Sequence, residues 1–161
     1  MELQVAVVGG SEPTTDEAAL AEDIGRALAE KGAVVVCGGL GGVMAAACRG
    51  AKSAGGLTVG LLPGRHPGDA NPWVDIAIPT GLGETRNALV VAAASAVVAV
   101  GGEYGTLSEI ALALRAGKPV VGVGTWTLTR PGGDPDSGIV PADDALSAAK
   151  IAVTLATEAQ P

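Results

Sequence analysis

Three times in this 161-residue chain a short apolar run ends in glycine, and a longer, mostly Ala- and Leu-rich segment follows. Gln4–Gly9 leads into Gly9, Gly10 and Ser11. Ala33–Cys37 leads into Gly38, Gly39, Gly41 and Gly42. Ala96–Val100 leads into Gly101, Gly102 and Gly105. Apolar runs without polar alternation suit strands covered on both faces. Strands alternating with helical segments specify a parallel sheet wrapped by helices. The fold class predicted is therefore α/β: a Rossmann-like, doubly wound, mostly parallel sheet of six to seven strands with helices on both faces. The length fits one domain spanning residues 1–161.

The remaining elements follow from local signals. Thr14 to Lys31 reads as a helix, with capping-box spacing at Thr14 and Glu17 and a stop at Gly32. A helix is expected over Val43–Ala54 and strands over Leu57–Leu62 and Val74–Ile78, separated by an irregular Gly64–Trp73 segment. Gly83–Ser95 reads as a helix. Another opens at Thr106 and ends at Gly117, before a strand at Val120–Val123. Thr125–Asp136 reads as a long loop, of a length that suggests function or mobility. Pro141 suits the first turn of a last helix, with Asp143 and Asp144 at its positive end.

Composition narrows the function. Phe is absent, and Trp and Tyr total three residues, so Val, Leu, Ile and Ala must fill the core. Few aromatics argue against stacking along a nucleic-acid strand. The net charge of −7 gives no general basic face for phosphate backbones, so nucleic acid is not an expected partner. Leu3–Val8 is too short for a signal peptide, and no apolar stretch reaches the ~18 residues of a membrane helix. A cytoplasmic protein without a membrane partner is expected. Cys37 and Cys48 match no metal spacing and read as core cysteines in a reducing compartment. No metal site is predicted.

The three glycine clusters lie at the carboxyl ends of predicted parallel strands, where open α/β sheets bind ligands. Glycine there permits close approach, and the following helix start offers unpaired N–H groups to an anion. A tight strand-to-helix turn also calls for glycine, so one cluster alone says little. None matches G-x-G-x-x-G or the P-loop pattern, which disfavours a nicotinamide dehydrogenase or an NTPase. A small phosphate-bearing ligand is the expected partner, with Met44 beside the second cluster as a further contact.

Arg86 sits in the first turn of its predicted helix, where a cation opposes the helix dipole. It reads either as a surface Arg paired with Glu84 or Glu109, or as a clamp on phosphate or ribose. Glu109 stands three residues after Thr106, which fits a capping box and equally a carboxylate poised over a sugar. Glu103 inside a phosphate cradle would repel the ligand unless it turns away. His66, the only histidine, reads as a surface loop residue.

The run Gly101-Gly-Glu-Tyr-Gly-Thr-Leu-Ser-Glu109, with Arg86-Asn87 upstream and Ala116-Gly117-Lys118-Pro119-Val120 downstream, resembles the LOG-like family, whose hallmark is P-G-G-x-G-T-x-x-E. Gly38–Met44, Gly50-Ala51-Lys52 and Gly55–Gly60 agree, so the resemblance covers roughly residues 4–127. It implies a homodimer or homotetramer. It also implies phosphoribohydrolase chemistry, which cleaves the N-glycosidic bond of a nucleoside 5′-monophosphate to base and ribose 5-phosphate and needs no cofactor. In that chemistry Arg86 and Glu109 would be catalytic, and Gly102, Gly105 and Thr106 would hold the phosphate. Gly101 and Glu103 depart from the hallmark. With Gly124-Thr125-Trp126 they look more like a sister branch that includes molybdenum-cofactor carriers, which bind a phosphate-bearing pterin without hydrolysis. The lysine-decarboxylase label often given to this family implies pyridoxal phosphate chemistry, which nothing in the sequence supports.

Overall fold

In the computed structural model, which describes residues 2–159, the three strand-to-glycine units lie side by side. The strands are β1 (Gln4–Gly9), β2 (Val34–Cys37), β3 (Thr58–Leu62), β4 (Ile76–Pro79), β5 (Ala96–Val100), β6 (Val120–Val123), β7 (Leu128–Thr129), β8 (Pro135–Asp136) and β9 (Ile139–Pro141). Seven form one sheet in the order β4-β3-β2-β1-β5-β6-β9, and every pairing in it is parallel. The fold is thus the Rossmann-like, doubly wound sheet the sequence pattern specifies.

Five helices cover the sheet: α1 (Thr15–Glu30), α2 (Val43–Ser53), α3 (Asn87–Ala92), α4 (Tyr104–Arg115) and α5 (Ala145–Glu158). One face packs Ile24, Leu28, Val43, Ala47 and Ala148 of α1, α2 and α5 against Val5, Val7 and Val98. The other packs Val90, Ile110 and Ala113 of α3 and α4 against Ala6, Val8 and Val97. Each fully buried Val, Leu or Ile contributes about 1.5–3 kcal/mol. Small residues stand in for aromatics by bringing backbones together. A Cβ on Gly25 of α1 would lie 1.9 Å from the Ala47 carbonyl oxygen of α2, and one on Gly50 would lie 1.8 Å from that of Glu22. Cys37 and Cys48 are free thiols in this core, their sulfurs 3.5 Å apart.

Several elements differ from the sequence expectation. The helix expected over Gly83–Ser95 is a 3₁₀ turn at Gly83–Arg86 followed by the short α3. Ser95 is drawn out of helix because its N–H donates to the Gln4 carbonyl, starting the β5 pairing. Helix α4 begins at Tyr104, not Thr106. The Thr125–Asp136 loop contains an antiparallel hairpin of β7 and β8, closed by an Arg130–Asp136 ion pair of 2.9 Å. Pro141 lies at the end of β9, a strand absent from the expectation, not in a helix. The β-branched Ile139–Val140 pair finds the free edge of β6, where the missing proline N–H is tolerated. Asp144, in a capping box with Ser147, sets the start of α5.

Candidate functional site

The strand order reverses at β1 and β5, with β2 to β4 on one side and β6 and β9 on the other. Such a switch point leaves a crevice at the carboxyl ends of the strands. Gly9 is in register with Val100, so the loops after β1 and β5 leave the sheet together. A cavity of about 280 Å³ opens there. Its walls include Gly9, Gly10 and Ser11 after β1, Gly38, Leu40 and Met44 after β2, and Glu103, Gly105 and Thr106 after β5. Arg86 and Glu109 reach into it. The volume is near the lower end of the ~300–1,000 Å³ usual for small-molecule sites.

Arg86 ends the 3₁₀ turn and is only 6% exposed. Its Nη2 donates to the Gly38 carbonyl at 3.3 Å, and its Nη1 donates to Asn87 Oδ1. Nε has no partner. Among the described residues no carboxylate forms an ion pair with Arg86. The surface-pair reading of Arg86 is therefore set aside. A buried guanidinium with an idle N–H is costly unless an anion completes it. Gly38 is required for this arrangement, since a Cβ there would lie 2.5 Å from Arg86 Nη2 and 2.7 Å from Met44 Sδ.

Asn87 ties Arg86 to the other side of the cleft. Its Nδ2 donates to Ser108 Oγ at 3.1 Å, and Ser108 Oγ donates to the Gly105 carbonyl at 2.7 Å. The guanidinium is thus strung between the β2 loop and the first turns of α4. The Arg86-Asn87 pair is visible in the sequence only through the family resemblance, and no local pattern gives Ser108 a role. Leu40, Val7 and Val8 also line the cavity without a sequence signal that singles them out, and so does Glu84, which the sequence offers only as an ion-pair partner for Arg86.

The capping-box reading of Glu109 also fails. The N-cap of α4 is Glu103, without a side-chain cap bond, so Thr106 and Glu109 lie inside the helix. Both are buried, Glu109 at 7% exposure. Burial pushes the Glu109 carboxyl up to about 7 against the opposing pull of Arg86, with Glu84 adding to the rise. Protonated, it is a hydrogen-bond donor; ionised, it is a base beside a cation.

The helix starts differ in a telling way. Helices α1 and α5 carry capping boxes, while α2 and α4, whose preceding loops border the cavity, have no side-chain cap. The Val43 N–H at the start of α2 donates to the Gly10 carbonyl at 3.0 Å, which leaves the next first-turn N–H groups of α2 and those of α4 to meet a ligand. Asn71 braces the β2 loop from behind, its Nδ2 donating to the Leu40 carbonyl at 2.9 Å.

Not every expected residue lines the cavity. Gly39, Gly41 and Gly42 shape the β2 loop from outside it, Gly42 packing against the Gly10 and Ser11 carbonyls. Gly101 and Gly102 line a neighbouring shallow recess instead. Glu103 does border the cavity and is itself exposed, so an acidic residue stands at the rim. His66 is exposed and lies outside the lining.

Residues 2–140 match the model of the SLOG cluster4 family. The chain belongs to that family. Within it the LOG-like character of the sequence is established. A relative from Archaeoglobus fulgidus, described as an uncharacterized protein, is 47% identical over 118 residues, covering 73% of this chain and 78% of that one. Among solved structures, this SLOG cluster4 chain resembles the molybdenum cofactor binding protein of the phototrophic bacterium Rippkaea orientalis. The TM-score is 0.86 at 32% identity, covering 96% of this chain and 97% of that one. It also resembles the Moco carrier protein of Chlamydomonas reinhardtii, with a TM-score of 0.85 at 34% identity, covering 98% and 99%. Among the described residues no helix is long and apolar enough to cross a membrane.

Proposed function

We propose that this chain binds and carries a phosphate-bearing pterin cofactor of the molybdenum-cofactor type. The observation that carries the reading is Arg86: a buried cation with an unpartnered Nε, in a cleft bordered by the loops before two uncapped helices. The phosphate would meet Arg86 and the amides of the β2 and β5 loops. Full-length likeness to molybdenum-cofactor binding and carrier proteins supports the choice of ligand. Glu103 and Glu84 at the rim suit the N–H and hydroxyl groups of a ligand better than its phosphate.

The test is retention. Purified protein is mixed with molybdenum cofactor released from a molybdoenzyme, desalted, and assayed for bound pterin and molybdenum. Wild type should retain both and Arg86→Ala should retain neither. No retention by wild type would contradict the proposal.

A second reading rests on Glu109. A carboxyl raised to about 7 beside a buried Arg suits general-base help in hydrolysing a nucleoside 5′-monophosphate at its glycosidic bond. Such help is worth ~10²–10⁴-fold. Release of free base from AMP or a related monophosphate, abolished by Glu109→Gln, would establish this reading; no release from any of them would dismiss it.

A further inference from the structure

Beside the anion cavity lies a recess walled by Glu17, Gly101, Gly102, Gly124, Thr125 and Trp126. The β5 loop divides the two: Gly101 and Gly102 face the recess, while Glu103 and Gly105 face the cavity. The chain holds two Trp, one Tyr and no Phe. Two of those three aromatics meet at this loop, Tyr104 and Trp126 having ring centroids 5.8 Å apart. The indole is fixed there by its Nε1, which donates to the Glu103 carbonyl at 3.3 Å.

The same recess holds a carboxylate, Glu17, whose Oε1 lies beside Gly101, where an added Cβ would meet it at 2.0 Å. Glu17 Oε2 accepts from the Thr14 N–H at 2.9 Å, and its Oε1 has no hydrogen bond among the described residues. A carboxylate accepts hydrogen bonds and donates none, so it selects a ring edge that carries N–H groups. An indole adds a face on which a planar heterocycle stacks.

We infer that this recess is a subsite for a heterocycle with a 2-amino-4-oxopyrimidine edge, as in pterin or guanine. That edge presents an amino group and a ring N–H side by side. Glu17 takes the edge, Trp126 takes the ring, and the ligand's phosphate lies across the β5 loop in the Arg86 cavity. The inference rests on the proposed phosphate-cofactor reading and adds to it the residues that choose the ring.

The test compares neopterin monophosphate, GMP, IMP, unphosphorylated neopterin and inorganic phosphate by calorimetric titration. IMP lacks the amino group of GMP. Wild type should bind GMP and neopterin monophosphate about tenfold tighter than IMP, the scale of one hydrogen bond to a charged group, and should bind IMP, which keeps the ring, tighter than phosphate. Glu17→Gln keeps an acceptor for the Thr14 N–H and should erase the preference for GMP over IMP while leaving phosphate affinity unchanged. Trp126→Ala should weaken both ring ligands, and Trp126→Phe should restore part of the loss. Equal binding of GMP, IMP and neopterin monophosphate, or a preference that survives Glu17→Gln, would overturn the subsite. Failure of the cavity reading shows separately, as phosphate affinity that Arg86→Ala does not change. In that case neopterin without its phosphate must still bind wild type better than Glu17→Gln, or the subsite falls too.

Discussion

Asn87 holds the guanidinium of its own chain neighbour, accepting from Arg86 Nη1, and passes that restraint through Ser108 to the Gly105 carbonyl. Side chain and loop on opposite sides of the switch-point crevice are thereby fixed relative to each other. An Arg with several rotatable bonds would otherwise lose considerable freedom on binding an anion; here that cost falls on folding instead.

Asn87→Ala should weaken phosphate binding by about tenfold, the scale of one hydrogen bond to a charged group. Ser108→Ala, one step further along, should weaken it less. Titration calorimetry of the two variants beside wild type checks the order. Equal affinities in all three proteins would mean that the relay does not position Arg86.

Arg86→Met tests the idle charge itself. Replacing an uncompensated buried cation by an apolar side chain of similar reach is often neutral or stabilising. The ligand-free variant should melt at or above the wild-type temperature, and added phosphate should no longer raise it. A clear drop in melting temperature without ligand would show that Arg86 contributes to the fold rather than waiting for an anion.

Gly38→Ala and Gly41→Ala separate space from flexibility. At Gly38 an added Cβ would collide with Arg86 and Met44, while at Gly41 nothing lies within 4 Å. The first change should displace the guanidinium and lower phosphate affinity at least about tenfold. The second should leave affinity as it is. Both are read by titration, with circular dichroism to confirm that each protein is folded.

Glu109 predicts a pH dependence. Its ordinary value is 4.5 and burial raises it to about 7, so the folded chain holds more protons than the unfolded chain between those values. Its contribution to stability is therefore full below about 4.5 and falls as pH rises to about 7, levelling above. Urea midpoints across this range should show the decline, and Glu109→Gln should flatten it. Sulfate, whose charge is fixed, should bind more tightly below about 7, where Glu109 is neutral and only Glu84 and Glu103 oppose Arg86 in the cavity. Affinity independent of pH in wild type would contradict this.

Much of the fold was legible because its signals are local. Val-rich runs ending in glycine marked β1, β2 and β5, and Thr14 with Glu17 marked the start of α1. What escaped depends on long-range competition. Ile139–Pro141 becomes a strand because β6 offers an edge, and Ser95 leaves its helix because β1 offers a carbonyl. The site was half legible. Arg86 and Glu109 stood out as charges in helices, and three glycine clusters pointed to one rim of the sheet. The Thr106 and Glu109 spacing misled, because the N-cap of α4 is Glu103, three residues before Thr106. The split of the β5 loop between two depressions could not be read from spacing, since adjacent residues face opposite ways.

The central claim is that Arg86 and the open amides around it grip one anion per chain. The direct measurement is calorimetric titration of wild type and Arg86→Met with inorganic phosphate at slightly acidic pH. A single site in wild type, absent from the variant, is the predicted result. Identical heats in the two proteins, or none in wild type, would contradict the account.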